Sequence, residues 1–502
     1  MDLASLVGRH AGSTPDKVAL WYEGEPTTFA QLDARSDAVA AALAAGTRPG
    51  ERVAYLGRSH PRYFEFLLGS VKAGTVLTPL NWRLAPAELV SIIRDAGVRV
   101  IVADREFWEP LARVAPTDLG LRVTIGDGTN EPAWDHLAAQ RPVRAGVNAS
   151  DIVLQIYTSG TTGRPKGVMT SSGSLATYLN TLATVAGIHG ESVTASTMPQ
   201  FHIGGTGWVL AGLARGATSV LLTGSHPGQV LAAVEEYAVT NLIAVPTIIR
   251  MILAWPGLDQ CDLSQLETLY YGGGPISPTE LKTALGHLKC QFVQGFGMTE
   301  CGIVLSLTSE DHRTRPDLLG SCGHPVAATE VRVVDPGSGL DVPDGTTGEL
   351  WVRSPIVMAG YWNQPEATAA ALSDSGWLRT GDAVERDSEG YLYIRDRLKD
   401  MIISGGENVY SAEVENALMT HPLVLECAVI GVPSQKWTET VKAVVVAAPG
   451  VSLTEAALIG HCRESLASYK CPTSVAFVDA LPRNLSGKVL KHVLRGEHAS
   501  AG

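Results

Sequence analysis

The run Tyr157-Thr158-Ser159-Gly160-Thr161-Thr162-Gly163-Arg164-Pro165-Lys166-Gly167-Val168 carries the densest chemistry in the chain. Glycines let a backbone turn sharply and bring its N–H groups close to an anion. The Ser and Thr hydroxyls add donors, and Lys166 adds a mobile positive charge. That mixture suits the phosphates of a nucleotide. It is not a Walker A loop. Counting from Gly160, Pro165 stands where the second Walker glycine belongs, and Gly167 follows Lys166 in place of Ser or Thr. Nor is it a dinucleotide fingerprint, because no Gly-x-Gly-x-x-Gly spacing occurs in it.

Other stretches mix reactive and small residues. In Gln294-Gly295-Phe296-Gly297-Met298-Thr299-Glu300, an aromatic flanked by glycines offers an open face to a base. Thr299 can bond a phosphate, and Glu300 can hold Mg²⁺ through one carboxylate, which suits a hard cation on a triphosphate. Pro199-Gln200-Phe201-His202-Ile203-Gly204-Gly205 combines an aromatic, an imidazole and small residues, and Tyr271-Gly272-Gly273-Gly274-Pro275 follows an apolar strand. Glycines there let flat or long substrates pass close to the backbone, although an ordinary turn has the same composition. Trp377 to Asp382 ends in a carboxylate on a turn, which caps the turn or accepts two hydroxyls. Asp396 to Val409 is a charged linker entering a strand and a glycine turn, and Pro482 to Lys491 places Lys488 on another. Lys491 is expected on the surface, and Glu413 and Glu415 as charges favoured by a helix N-terminus.

These stretches sit in an alternation of strands and helices. Val18 to Tyr22 and Thr27 to Phe29 read as a hairpin. Helices are expected over 31–45, 63–72, 86–95, 175–185, 209–213 and 230–237. Strands are expected over 52–56, 76–80, 98–102, 152–156, 219–222, 242–245 and 268–271. Alternation of this kind implies α/β architecture with parallel sheets covered by helices, here in two sets. Past about Gly320 come short strands between Gly- and Pro-rich turns, read as a small β-barrel subdomain. An α+β tail follows, with the boundary near Lys399, giving domains 1–398 and 399–502.

The chain has 502 residues, 45% of them hydrophobic, enough for more than one domain. A net charge of -12 argues against a nucleic-acid binder and requires positive charge to be gathered locally, as at Arg164 and Lys166. The seven cysteines show no metal-ligand spacing and read as reduced residues of a cytoplasmic protein. The uncharged segment Ala195 to Ala214 is broken by Pro199, Gln200, His202 and glycines, so no integral membrane segment is expected.

Taken together, the stretches resemble the motifs of the acyl-adenylate-forming superfamily, which includes acyl-CoA synthetases, peptide-synthetase adenylation domains and beetle luciferases. The resemblance spans essentially the whole chain. It is nearest to bacterial fatty-acyl-CoA ligases and feruloyl- or coumaroyl-type CoA ligases. It implies an acid–thiol ligase using ATP, Mg²⁺ and CoA on a small carboxylic acid. It puts ATP phosphates on Thr158, Ser159, Gly160, Thr161, Thr162, Gly163 and Lys166. It puts the nucleotide against Gly273, Gly274, Pro275, Gln294, Gly295, Phe296, Gly297, Met298, Asp382, Ile394 and Arg397. Thr299, Glu300, His202 and Lys488 take catalytic positions, Glu300 as metal ligand and Lys488 at the substrate carboxylate and α-phosphate. Lys399 becomes a hinge, and Ser404, Gly405 and Gly406 line the pantetheine tunnel. The acyl pocket falls to His202, Ile203, Gly204, Gly205, Trp208 and Gly272; Gly204, Gly205, Thr206 and Gly207 suggest a roomy floor, which Trp208 either lines or closes. That floor favours a medium or long fatty acid, with aryl acids such as cinnamates as the alternative. Two departures stand out: Phe296 replaces a Tyr, and Thr438 replaces a Gly after Trp437. Transfer to a carrier protein, luciferase-type oxygenation and noncatalytic nucleotide sensing are the competing functions. A homodimer is compatible with all of them.

Overall fold

A computed structural model describes residues 2–114, 122–126, 146–158, 165–404, 407–434, 437–483 and 489–498. The chain packs into two compact units, Met1–Glu330 with Val352–Leu378, and Val331–Trp351 with Arg379–Gly502.

Two mixed sheets build the first unit. In spatial order, one sheet has His324–Pro325, Gly302–Leu307, Gln291–Met298, Thr268–Gly272, Asn241–Ala244, Val193–Ser196, Thr218–Leu221, Val18–Tyr22 and Glu25–Thr28. The pairings from Val18–Tyr22 across to Gln291–Met298 are parallel. The other sheet has Gly360–Tyr361, Lys166–Ser171, Ile152–Thr158, Val76–Pro79, Arg52–Leu56, Val100–Asp104 and Arg122–Gly126. Its Lys166–Ser171 strand returns antiparallel to Ile152–Thr158, with Thr158 opposite Lys166. The Lys166–Ser171 strand was not expected from the sequence.

Local signals account for the helices. Pro61–Ala73 and Pro86–Ala96 open on proline and stop at the left-handed Gly74 and Gly97. Phe29–Gly46 begins with a capping box between Thr28 and Gln31. One apolar core gathers Leu20, Val53, Phe64, Ile156, Leu175, Trp208 and Val293 from both sheets and their helices. Within it Lys72 is fully buried. Its ammonium lies 2.7 Å from Asp33 and from Asp37, the pairing that a buried charge requires.

The second unit carries a four-stranded sheet, Glu330–Val334, Gly348–Arg353, Leu378–Arg386 and Leu392–Arg397. This is the small β subdomain expected from the short strands. Its other sheet is built around the long hairpin Val424–Ser434 and Thr438–Ala447, flanked by Ser474–Phe477 and Ile402–Ser404. The helices Ser411–Met419 and Glu455–Arg463 contribute Val414, Leu418, Leu458 and Cys462 to that unit's core.

Among the described residues, no helix is long and apolar enough to cross a membrane. All seven cysteines are free thiols.

Candidate active site

In the first unit, the site residues sit where parallel strands end, the usual ligand crevice of α/β sheets. Thr268–Gly272 runs into Gly273, Gly274 and Pro275, and Gln291–Met298 runs into Thr299 and Glu300. Gly273 has φ +76°, so the turn demands a glycine there, and a Cβ on it would meet only Val245 at 3.7 Å. Gly272, Gly295 and Gly297 are different. A Cβ on Gly272 would lie 2.2 Å from the Gly295 carbonyl, and one on Gly297 1.6 Å from the Gly302 carbonyl. They let strands and side chains pack tightly around Phe296. Gln294 Oε1 is buried without a hydrogen-bond partner, leaving an acceptor beside Phe296's strand.

Glu300 is 7% exposed. Its Oε1 accepts a hydrogen bond from the Tyr361 hydroxyl at 2.9 Å, and its carbonyl accepts from Met358 N at 2.8 Å. The Lys166 ammonium lies 4.7 Å from the centroid of the same Tyr361 ring. The same ring therefore meets a cation over its face and a carboxylate at its hydroxyl. The pair of strands Ile152–Thr158 and Lys166–Ser171 is braced from below. Tyr157 donates to Asp95 at 2.5 Å, Trp362 Nε1 donates to the Asp95 carbonyl at 3.0 Å, and Gln364 donates to the Pro165 carbonyl at 3.2 Å. Burial, reinforced by Asp95, pushes the Tyr157 phenol well above its ordinary value, so it stays a neutral donor. Sequence reasoning missed Tyr361, Trp362 and Asp95. The signal available was Gly360-Tyr361-Trp362, of which Gly360–Tyr361 is a short strand paired to Lys166–Ser171.

His202 precedes the helix Ile203–Arg215, its ring 4.6 Å from that of Phe201. Burial, with Arg83 nearby, lowers its pKa to about 4, so the imidazole is neutral at pH 7. Its Nε2 and the Nε2 of Gln200 are buried without partners, a pair of polar atoms available to a substrate. The roomy floor expected from the glycines is not there. A Cβ on Gly205 would lie 2.2 Å from the Pro199 carbonyl, one on Gly207 2.4 Å from the Tyr178 ring, and one on Gly204 2.7 Å from Met198. These glycines let the helix pack closely. The helix starts at Ile203, not at Val209 as expected from the sequence. Trp208 is fully buried in the core against Tyr270. A cavity of about 460 Å³ lies at the opposite, amino-terminal strand ends, between Thr268, Gln291 and His324. It holds none of the expected site residues.

In the second unit, Asp382 and Arg397 meet, Oδ1 to Nε at 2.7 Å, with Asp382 only 3% exposed. The left-handed Gly381 precedes Asp382 and donates to Glu349 at 3.0 Å. Ile394 lies on the Leu392–Arg397 strand, half-buried, and Lys399 is exposed in the turn that follows. Ser404 pairs with Thr438, which keeps φ +68°. Lys491 is not a loose surface lysine. It pairs with Glu415 at 2.8 Å and bonds the Ser411 hydroxyl, while Glu413 pairs with Lys470 at 2.7 Å. Both glutamates are ion-pair partners, and only Glu413 lies in the first turn of the helix Ser411–Met419, so Glu415 is not the helix-start charge expected. Ser159, Gly160, Thr161, Thr162, Gly163, Gly405, Gly406 and Lys488 lie outside the described residues.

No cluster of three or more His, Cys, Asp or Glu occurs among the described residues. A single carboxylate fits Mg²⁺ nonetheless, because that ion keeps several waters and takes phosphate oxygens as its other ligands. Glu300, held by one oxygen, is such a carboxylate.

Residues 7–362 match the family model described as AMP-binding enzyme, and residues 413–488 match the model of its C-terminal domain. The chain belongs to the AMP-binding enzyme family. It is 42% identical over 98% of both chains to a feruloyl-CoA synthase of Amycolatopsis sp. It is 38% identical to a fatty acid–[acyl-carrier-protein] ligase of Streptomyces coeruleorubidus, over 98% of this chain and 96% of that protein. The solved structure of ATP-bound MatB from Rhodopseudomonas palustris superposes with a TM-score of 0.91 at 31% identity, covering 100% of this chain and 99% of that one. These relationships bear out the class expected from the motifs, an AMP-forming acyl-CoA synthetase working with ATP, Mg²⁺ and CoA.

Proposed function

We propose that this acyl-CoA synthetase activates an aryl propenoic acid of the ferulate or cinnamate type. The observation that carries the choice is the filled floor at Gly204, Gly205 and Gly207 with Trp208 sealed in the core. It removes the physical reason to prefer a long chain, while the 42% identity to a feruloyl-CoA synthase supports a flat acid. A fatty acid is the second reading, supported by the 38% identity to a fatty-acid ligase.

The acid's carboxylate attacks the α-phosphorus of ATP and pyrophosphate leaves. The CoA thiol then attacks the acyl carbonyl and AMP leaves. No protein nucleophile is needed, and catalysis is positioning and charge stabilisation. Lys166 and the Thr158–Gly163 hydroxyls and amides hold the β- and γ-phosphates, Thr299 a phosphate oxygen, and Glu300 the Mg²⁺ that neutralises the triphosphate. Phe296 stacks on adenine between Gly272–Pro275 and Gln294–Met298. Asp382 takes the ribose hydroxyls beside Arg397 and Ile394. His202 and Ile203 face the acyl chain. Lys488 serves adenylation, and Ser404–Gly406 serve CoA. Since both lie beyond Lys399, the 399–502 domain turns about Lys399 between half-reactions. A cytoplasmic location and a homodimer fit this reading.

The experiment is AMP release over a panel of acids with free CoA. Highest kcat/KM for hydroxycinnamates is expected, and a preference for fatty acids would replace the first reading with the second. The half-reactions test the hinge. Lys488→Ala should lose acyl-adenylate formation and keep thioester formation from supplied acyl-adenylate. Lys399→Pro should do the reverse, because proline fixes φ near about -65°. Equal damage to both steps would rule out domain alternation.

A further inference from the structure

Tyr361 touches both charges assigned to the triphosphate. Its hydroxyl donates to Glu300 Oε1 at 2.9 Å, and its ring face lies 4.7 Å from the Lys166 ammonium. We propose that Tyr361 is a positioning residue that aims the Glu300 carboxylate and keeps Lys166 from collapsing onto it. The inference rests on the reading that Glu300 takes the metal and Lys166 the phosphates.

The backbone around Tyr361 is fixed to the strand that begins at Lys166. Tyr361 pairs with Val168 in the sheet, and Gly360 with Met169. Ala359 N donates to the Met169 carbonyl and Trp362 N to the Gly167 carbonyl, each at 2.8 Å. Tyr361 N donates to the Thr368 hydroxyl at 2.9 Å. Gly360 has φ +144°, and a Cβ there would lie 2.8 Å from Thr368, so the approach to Tyr361 depends on that glycine. The ring therefore moves with Lys166, not independently of it.

The chemistry of the ring suits the task. In a partly dry crevice a bare Lys–Glu contact would be strong, and each ion would be lost to the other. An aromatic face attracts an ammonium more weakly than a carboxylate does, so a triphosphate displaces it readily. The phenol occupies one Glu300 oxygen. No other side-chain hydrogen bond to Glu300 occurs among the described residues, which leaves its second oxygen to a cation. Glu300 and Tyr361 are 7% and 8% exposed, so neither reorients without disturbing its neighbours.

The test uses the full chain with ATP and no acid. Mn²⁺ binding to the ATP complex is titrated by electron paramagnetic resonance, and ATP binding in EDTA is measured by calorimetry. Tyr361→Phe keeps the ring and loses the hydroxyl. It should weaken Mn²⁺ about tenfold, the worth of one hydrogen bond to a charged group, and change metal-free ATP affinity less than twofold. Tyr361→Leu should weaken metal-free ATP binding as well, because the Lys166 platform is gone. Glu300→Gln separates the layers. If Glu300→Gln weakens Mn²⁺ and Tyr361→Phe does not, Tyr361 is only a packing residue and the inference is wrong. If Glu300→Gln also binds Mn²⁺ like the parent, the metal reading of Glu300 falls and takes the inference with it. Thermal unfolding confirms that each variant is folded. If Tyr361→Leu fails to fold, the Phe variant decides.

Discussion

At their sites the two units treat charge differently, although the first unit's core also holds a direct ion pair, Lys72 with Asp33 and Asp37. At the first unit's site, Lys166 lies over the Tyr361 ring, Glu300 accepts from the Tyr361 hydroxyl, and His202 is kept neutral by burial. In the second, charges touch. Asp382 meets Arg397, Glu413 meets Lys470, Glu426 meets Arg483, Glu415 meets Lys491 and Asp400 meets Arg495, all within 3.0 Å. Charges held apart remain available to a ligand. Charges already paired hold strands and helices to one another, and a ligand must share them.

The largest expected effect tests the first half of that contrast. Lys166→Ala should lower kcat/KM for ATP roughly a hundredfold, the cost of removing one preorganised contact to developing charge. The unfolding midpoint should stay put, because Lys166 makes no ion pair among the described residues. Full activity, or a large loss of stability, would mean that Lys166 is a structural cation like those of the second unit.

Asp382→Ala probes the other half. KM for ATP should rise about tenfold, the worth of a charge-assisted hydrogen bond, with KM for the acid unchanged. The loss should be smaller than for Lys166 because Arg397 already holds the carboxylate. Stability should fall too, and a cycle with Arg397→Ala should show coupling of about 1 kcal/mol. Additive effects would show that the 2.7 Å contact is incidental.

Burial of imidazoles in the first unit makes its stability depend on pH. His60 and His202 both have pKa values lowered to about 4, burial being the main cause and nearby arginines the second. The unfolded chain protonates histidine near pH 6.5, the folded chain near 4. Between those values the unfolded state binds more protons, so stability falls as pH drops from about 6.5 to about 4. Each group contributes about 1.4 kcal/mol per pH unit in that window and nothing above it. His202→Gln should flatten the stability–pH curve relative to the parent by about that slope. Parallel curves would show that His202 is protonated in the fold.

Much of this was legible in the sequence, for a physical reason. Strands such as Arg52–Leu56 and Thr268–Gly272 are short apolar runs between turn residues, and Glu300 follows the end of the strand Gln291–Met298. Asp382, expected on a turn, lies inside the strand Leu378–Arg386. What was not legible depends on neighbours distant in the chain. Gly205 and Gly273 look alike as letters. A Cβ on one would meet the Pro199 carbonyl at 2.2 Å, whereas the other has room for one, Val245 lying 3.7 Å away, and is a glycine for its φ of +76°. Tyr361 matters only because its short strand lands beside Lys166. Lys491 resembles a terminal solvated lysine until the helix Ser411–Met419 brings Glu415 and Ser411 to it.

The smallest predicted effect concerns strain in the second unit. Thr438 stands where the family commonly has glycine, and it keeps a glycine's backbone, φ +68°. For a β-branched residue that region is a true outlier. It persists because its neighbours hold it. Thr438 pairs with Ser404, and the next residue, Glu439, accepts a hydrogen bond from Ile403 N at 2.9 Å. Glycine removes the Cβ clash but adds freedom to the unfolded chain, and the first effect should win by about 1 kcal/mol. Thr438→Gly should therefore raise the denaturation midpoint, while Thr438→Ala, which keeps a Cβ, should not match it. A glycine variant no more stable than the alanine variant would show that the turn relaxes out of the left-handed region in solution.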